Sequence, residues 1–342
     1  MHQSSTRRRA TLADVASRAG VSVTTASYIL NRRSEEMRIS AATVERVRAA
    51  ADALQYRPNR SARNLRSAST ATVGLISDHV ASGGFASRMV SGVATAARAE
   101  DHLLVIGESE GDPQTERLLV EEMLDRQVDG IIYATLTASS VTVPAGLRDQ
   151  RVTLLNCEDA EGRLPAVLPD DLQGGRTAAA ALLDAGHREG IWLVGEESAP
   201  HVIAARLRPR GIRAALEESG VAPAGLVACE WAVVPAYDAV SRLLESGTQP
   251  RALVCMNDRA AMGAYDALRE HGLRVPDDVS VVSFDGSDLA GWLRPALASV
   301  RIPFSDLGAR AFARLIGGAS GVERLPMHLV AGASITTRRA PG

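Results

Sequence analysis

Lysine is absent from this chain: all 38 basic side chains among its 342 residues are arginine. So complete an absence reads as a coding bias, not as a functional choice. Cysteine is scarce. Cys157, Cys229 and Cys255 are odd in number, irregularly spaced and set in apolar, strand-like runs, which excludes a disulfide framework and points to reduced, buried thiols in a cytosolic protein. No stretch approaches the roughly 18 consecutive apolar residues that a membrane helix needs, so no membrane partner is expected. The seven histidines are scattered without metal-ligand spacing. Neither a metal nor a cofactor is expected. Gly-rich dinucleotide fingerprints and phosphate loops are missing too, which removes two of the strongest signatures of an α/β enzyme. Arg7-Arg8-Arg9 is not followed by an apolar segment, so it reads as a solvated basic arm able to touch phosphate, not as an export signal.

What is present is distributed unevenly. The formal net charge is only −2, yet 13 of the arginines and 5 of the 40 acidic residues fall in residues 1–70. That stretch carries +8 and the remainder −10. A basic head on an acidic body implies a polyanion partner for the head alone. Residues 11–31 of the head read as two short helices joined by a turn. Thr11 and Asp14 form a capping box, Leu12, Val15, Ala16 and Ala19 share a helical face, and Gly20 suits a left-handed turn. Ser22 caps a second helix whose Ala26, Ile29 and Leu30 face the first. Val23, Thr24, Ser27 and Tyr28 remain on more exposed faces, where small and hydroxylated side chains suit base edges and phosphates. An αα-hairpin inside a larger core is the competing reading of this segment. Ser40 opens a third helix, with Val44, Val47, Ala51 and Leu54 at packing intervals. Pro58 disfavours helix in the residue before it.

A polar stretch, Asn59 to Arg66, follows with Leu65 as its prominent apolar residue, and Ser67 to Thr72 read as a linker. The pattern therefore predicts a three-helix head over 1–58 and a hinge over 59–71. From Thr72 onward, short apolar runs alternate with helical segments. The runs begin at Val73, His102, Val128, Val152, Ile191, Gly225, Ala252 and Val279, and a helix is expected from Pro113 to Gln127. Repeated βα units imply parallel sheets with helices on both faces, and this many strands imply two sheets. Ligands in such folds sit beyond the carboxyl ends of the strands, at Asn156, Trp231, Asn257, Asp258 and Asp285.

Head, hinge and core motifs in this order resemble the LacI/GalR family of transcriptional repressors over nearly the whole chain. The resemblance is carried by Thr11-Leu-Ala-Asp-Val-Ala, Ala19-Gly-Val-Ser, Ser27-Tyr-Ile-Leu-Asn, Tyr56-Arg-Pro-Asn, Arg206-Leu-Arg-Pro-Arg-Gly, Met256-Asn-Asp and Val279 to Asp285. It implies a small all-α helix-turn-helix DNA-binding head on a two-lobed α/β core, like that of periplasmic sugar-binding proteins. One lobe would take about 72–170 and 302–326, the other about 171–301 and 327–338. It implies a dimer on a palindromic double-stranded DNA operator, and the missing Leu-rich C-terminal tail implies no tetramer. By position, Val23, Thr24 and Tyr28 would read bases, and Thr11, Ser22, Thr25, Ser27 and Asn31 would meet phosphates. Thr11 and Ser22 read equally well as caps alone. The family usually has Arg where Tyr28 stands, so the usual operator is not expected. Asn59, Arg60, Ala62 and Leu65 would enter the minor groove, Leu65 as a wedge that unstacks one base step; docking of Leu65 on the core is its other reading. Asn156, Arg208, Trp231, Asn257 and Asp285 would hold a small effector, a sugar, although Trp231 also reads as a core residue. A purine or other non-sugar effector, activation instead of repression, and a transport binding protein remain the alternatives.

Overall fold

The computed structural model describes residues 10–31, 34–56, 69–80, 87–195 and 201–338. The chain divides into two compact units, Met1–Thr70 and Ala71–Gly342.

In the first unit, α1 (Leu12–Ala19), α2 (Val23–Leu30) and α3 (Ala41–Ala53) are each started by a hydroxyl cap: Thr11, Ser22 and Ser40. The Thr11 hydroxyl accepts the Asp14 N–H at 3.3 Å, and the Asp14 carboxylate accepts the Thr11 N–H at 2.8 Å. Two donors that α1 would leave unpaired are thus satisfied. Gly20, at φ 65°, ends α1 in the left-handed region and turns the chain toward α2. Val15, Ala16, Ala19, Ala26, Ile29, Val47, Ala50 and Ala51 form a small core among the three helices. Most of these are alanines, which lets short helices approach closely. Each larger member adds only about 1.5–3 kcal/mol of burial, so the caps matter to a unit of this size.

The second unit contains two six-stranded sheets. The first has the order β11-β5-β4-β3-β1-β2, from β1 (Thr72–Ser77), β2 (Leu103–Glu108), β3 (Gly130–Val141), β4 (Val152–Asp159), β5 (Ala166–Pro169) and β11 (Val322–Leu325). All its pairings are parallel. The second has the order β12-β10-β9-β8-β6-β7, from β6 (Ile191–Val194), β7 (Gly225–Val227), β8 (Ala252–Cys255), β9 (Ser280–Asp285), β10 (Ala298–Arg301) and β12 (His328–Val330). Only β12 is antiparallel to its neighbour. The chain passes between the lobes three times: after β5, after β10 and after β11.

Among the described residues, eight α-helices connect these strands: α4 (Ser87–Ala99), α5 (Pro113–Asp125), α6 (Asp171–Asp184), α7 (Ile203–Glu218), α8 (Val233–Glu245), α9 (Asp258–Glu270), α10 (Asp288–Trp292) and α11 (Phe304–Gly317). The inner strands β4, β8 and β9 are buried almost end to end, as strands covered on both faces must be. Helices α6 and α7 lie unusually close. A Cβ on Gly211 would overlap the Leu172 carbonyl oxygen, and one on Gly175 would overlap that of Arg208. Two missing side chains therefore let Arg208, on α7, reach Asp171 at the start of α6.

The thiols are free. Cys157 and Cys255 are buried in β4 and β8, and burial pushes the Cys157 thiol up to about 12. Such a thiol is a poor nucleophile at neutral pH.

Candidate nucleic-acid interface and ligand cleft

Two regions collect the residues singled out in the sequence, one in each unit. On α2, Val23 and Thr24 are exposed at the start of the helix, Val23 by 48%. Tyr28, one turn on, is part-buried. The face opposite is the packed one, with Ala26 and Ile29 both enclosed. An exposed valine at a helix N-terminus gains nothing from solvent and is available to a partner.

The hydroxyls beside it already have work inside the fold. The Ser22 Oγ accepts the Thr25 N–H at 3.0 Å and shares a hydrogen bond with the Thr25 hydroxyl at 2.8 Å. Asn31 closes α2, its amide donating to the Ser27 carbonyl at 2.8 Å. Thr11, Ser22, Thr25, Ser27 and Asn31 are thus all half-exposed or exposed members of helix ends. Backbone N–H groups at helix starts are natural donors to phosphate oxygens. Asn59, Arg60, Ala62 and Leu65 lie outside the described residues.

In the second unit, Arg208 is almost fully enclosed. Its Nε donates to Asp171 Oδ1 at 2.8 Å and its Nη1 to the Met256 carbonyl at 2.6 Å. Asp285 Oδ1 lies 3.8 Å from the same Nη1. The guanidinium lies over two aromatic rings, 5.3 Å from the Trp231 centroid and 4.7 Å from that of Phe284. Removing two acids and one base from water raises the carboxyls. Asp171 is pushed up by burial against the pull of Arg208. Burial likewise lifts Asp285 to about 7, with Arg208 again opposing. Asp171 Oδ2 and Trp231 Nε1 are buried and have no hydrogen-bond partner among the described residues. Unpaired polar atoms of this kind mark a place built for something besides folding.

Asn257 and Asn156 are committed elsewhere. The Asn257 Oδ1 accepts the Ala260 N–H at 2.8 Å as the cap of α9, and its amide donates to the Trp231 carbonyl at 3.0 Å. The Asn156 amide donates to the Thr135 and Leu136 carbonyls, both at 3.0 Å. Asn156 and Asp285 also have positive φ angles, 59° and 105°. For side chains other than glycine this is strained backbone, and it concentrates at functional sites.

A cavity of about 440 Å³ opens at Asp285. Its walls include Arg88 from α4, Val233 from α8, Arg259 from α9, Asp288 and Trp292 from α10, and Phe304 from α11. Arg88 and Asp288 belong to opposite lobes and pair at 2.6 Å. Of the five sequence-derived pocket residues, Asp285 alone lines this cavity; Arg208 and Trp231 stand behind it, joined to it through Asp285 and Arg208. Arg88, Arg259, Asp288, Trp292 and Phe304 were not anticipated. Arg259 and Asp288 sit one and three residues past flagged positions, whereas Arg88 and Phe304 carry no local signal.

The loop that bears Asp285 is tied down by Asp258, which is wholly buried. Its Oδ1 accepts from the Ser283 and Ser299 hydroxyls, the latter at 2.7 Å. Its Oδ2 accepts the Ser287 N–H at 2.8 Å and hydroxyl at 2.6 Å. One carboxylate thereby joins α9, β9, β10 and the entry to α10. No described helix is long and apolar enough to cross a membrane. No group of three or more His, Cys, Asp or Glu that could hold a metal occurs among the described residues.

Comparison with known proteins extends this geometry. Residues 11–59 match the family model described as bacterial regulatory proteins, lacI family, and residues 70–321 match that of periplasmic binding proteins and sugar binding domain of LacI family. The HTH-type transcriptional regulator AscG of Escherichia coli is 33% identical, over 94% of this chain and 96% of its own. The ribose operon repressor of Escherichia coli is 31% identical, over 90% and 92%. The repressor PurR of Vibrio atlanticus is 28% identical, over 90% and 91%. Among solved structures, the Lac repressor dimer bound to operator and the anti-inducer ONPF superposes with a TM-score of 0.77 at 27% identity, covering 96% of this chain and all of that one. The transcriptional regulator CelR in complex with cellobiose gives 0.66 at 25%, covering 95% and 100%. With a capped helix-turn-helix unit ahead of a two-lobed core, and both family models matched in order, the chain belongs to the LacI family of DNA-binding transcriptional regulators, built from a DNA-binding head and an effector-binding core.

Proposed function

We propose that this regulator is a cytoplasmic, non-catalytic repressor that binds a palindromic operator as a homodimer and is switched by a small sugar held between the lobes. The observation that carries the reading is the buried Arg208–Asp171–Asp285 group opening into a cavity lined from both lobes. A guanidinium and carboxylates together donate to and accept from neighbouring hydroxyls, and a ligand gripping both lobes biases their arrangement. Only a difference in affinity between two arrangements moves an equilibrium. In this reading Val23, Thr24 and Tyr28 contact base edges, Thr11, Ser22, Thr25, Ser27 and Asn31 contact the backbone, and Asn59, Arg60, Ala62 and Leu65 enter the minor groove. Tyr28 brings one hydroxyl and a ring where a bidentate arginine grips guanine, so the operator differs at that base pair. Apolar side chains that a lone protomer leaves in water, such as Val234 at 66% exposed, support the dimer.

Selection from a library of randomised palindromic DNA, followed by binding titrations with and without pentoses and hexoses, tests the proposal. Recovery of a two-fold symmetric site whose affinity a sugar changes supports it; a site insensitive to sugars but sensitive to purine bases replaces the sugar with the ligand class suggested by the PurR relatives.

A further inference from the structure

The cavity at Asp285 brings together two arginines, one from each lobe: Arg88 in the first turn of α4 and Arg259 in the first turn of α9. Taking the cleft as the effector site, the geometry points to an effector that carries an anionic group, a carboxylate or a phosphoryl group, clamped between Arg88 and Arg259.

Arg88 is already holding a carboxylate. Its Nη2 donates to Asp288 Oδ1 at 2.6 Å, and both side chains are solvent-accessible. An anionic ligand therefore replaces Asp288 on a guanidinium that is already aimed, without reorganising it. Arg259 is different, because no acid lies within ion-pair distance of it among the described residues. Asp285 is the acid that feels its charge, and burial lifts that carboxyl to about 7. At neutral pH Asp285 is only partly ionised, which leaves Arg259 incompletely matched. Trp292, Phe304 and Val233 supply apolar wall, and a charge-assisted hydrogen bond gains strength where water is thinned. The starts of α4 and α9 add their own positive ends. A neutral sugar uses neither arginine fully. An anion touching both gains its full contact only when the lobes are arranged as here, so it couples binding to lobe position.

Thermal unfolding of the full chain in inorganic phosphate and in acetate, each against chloride at equal ionic strength, tests the clamp. One of the two anions raises Tm, and which one it is distinguishes phosphoryl from carboxylate. Arg88→Gln and Arg259→Gln each weaken that anion about tenfold or more, the loss expected for one charged hydrogen bond. Asp288→Asn strengthens it, because the internal competitor is gone; a variant that merely damaged the fold would not. The clamp is overturned if neither anion outperforms chloride, or if the rise survives in both arginine variants, as it would for anions held by the basic head. A Tm rise with neutral sugars but with neither anion removes the clamp and leaves the effector reading standing. DNA binding that responds to no ligand of the cleft removes the effector reading instead.

Discussion

The two lobes share one architecture and divide the labour within it. Each is a six-stranded sheet covered by helices, but the buried charges are concentrated in the second. Arg208, Asp171, Asp258 and Asp285 all belong to the lobe of β6 to β10; Arg208 is hydrogen-bonded to Asp171 and ion-paired with Asp285, and Asp258 is hydrogen-bonded to serines of the same lobe. The first lobe contributes an arginine at the end of a helix, an aromatic ring, and an asparagine braced against its own strands. In the proposed reading, one lobe is preorganised to bind and the other closes over the ligand. Buried polar groups are expensive unless satisfied.

Breaking the Asp258 hub should show the largest effect. Asp258→Ala strands three serine hydroxyls and one N–H, so a loss of about 3–5 kcal/mol in urea unfolding is expected. An equally drastic deletion on the first lobe's cleft side, Arg88→Ala, should change stability little. A loss under 1 kcal/mol for Asp258→Ala would mean that the second lobe is not held by that carboxylate.

The next effect depends on pH. Asp285 has a folded-state pKa raised to about 7, above the ordinary carboxylate value near 3.9. The folded state therefore holds a proton that the unfolded state releases. Between about pH 4 and pH 7 stability falls as pH rises, and above 7 the whole penalty is present, on the order of 4 kcal/mol. Asp285→Asn should remove this slope and gain on the wild type between pH 5 and pH 8. Parallel pH profiles for the two proteins would contradict the environment described for Asp285.

A subtler change targets how Arg208 is positioned. Gly211→Ala pushes a methyl group into the Leu172 carbonyl and should cost about 1–3 kcal/mol. It should also displace Arg208 from Asp171, weakening any ligand of the cleft more than the stability loss alone explains. At the small end, Ser22→Ala removes the cap of α2, for about 1 kcal/mol. That loss should appear in the unfolding of the head and leave the core transition unmoved.

How much of this was legible in the sequence follows from the range of the interactions. The caps Thr11, Ser22 and Ser40 and the Asp112-Pro113 start of α5 act within one turn, so the residues announce them. The long buried strands announce themselves by unbroken apolar runs. β5, β10, β11 and β12 are three or four residues long, and Val322-Glu-Arg-Leu carries neither an apolar run nor a turn signal of its own. β11 and β12 are outermost in their sheets and exist because the neighbouring strands leave an edge to be paired. The cleft divides in the same way. Asp285, Arg208 and Trp231 were legible through motifs and strand ends. Arg88 and Phe304 are brought to Asp285 by lobe packing alone, and nothing in their neighbourhoods marks them. Asn257 was legible as a strand-end residue, and the structure shows it capping α9 and donating to the Trp231 carbonyl.

The central claim is that a cleft in the core governs what the head does on DNA. Fluorescence anisotropy of the full-length protein on its selected operator, titrated with a sugar or anion that binds the core, measures this directly. Coupling of 1–3 kcal/mol corresponds to a change in operator affinity of about 5–150-fold, with the reciprocal change in ligand affinity when operator is present. Operator affinity that stays constant while the cleft fills would contradict the account.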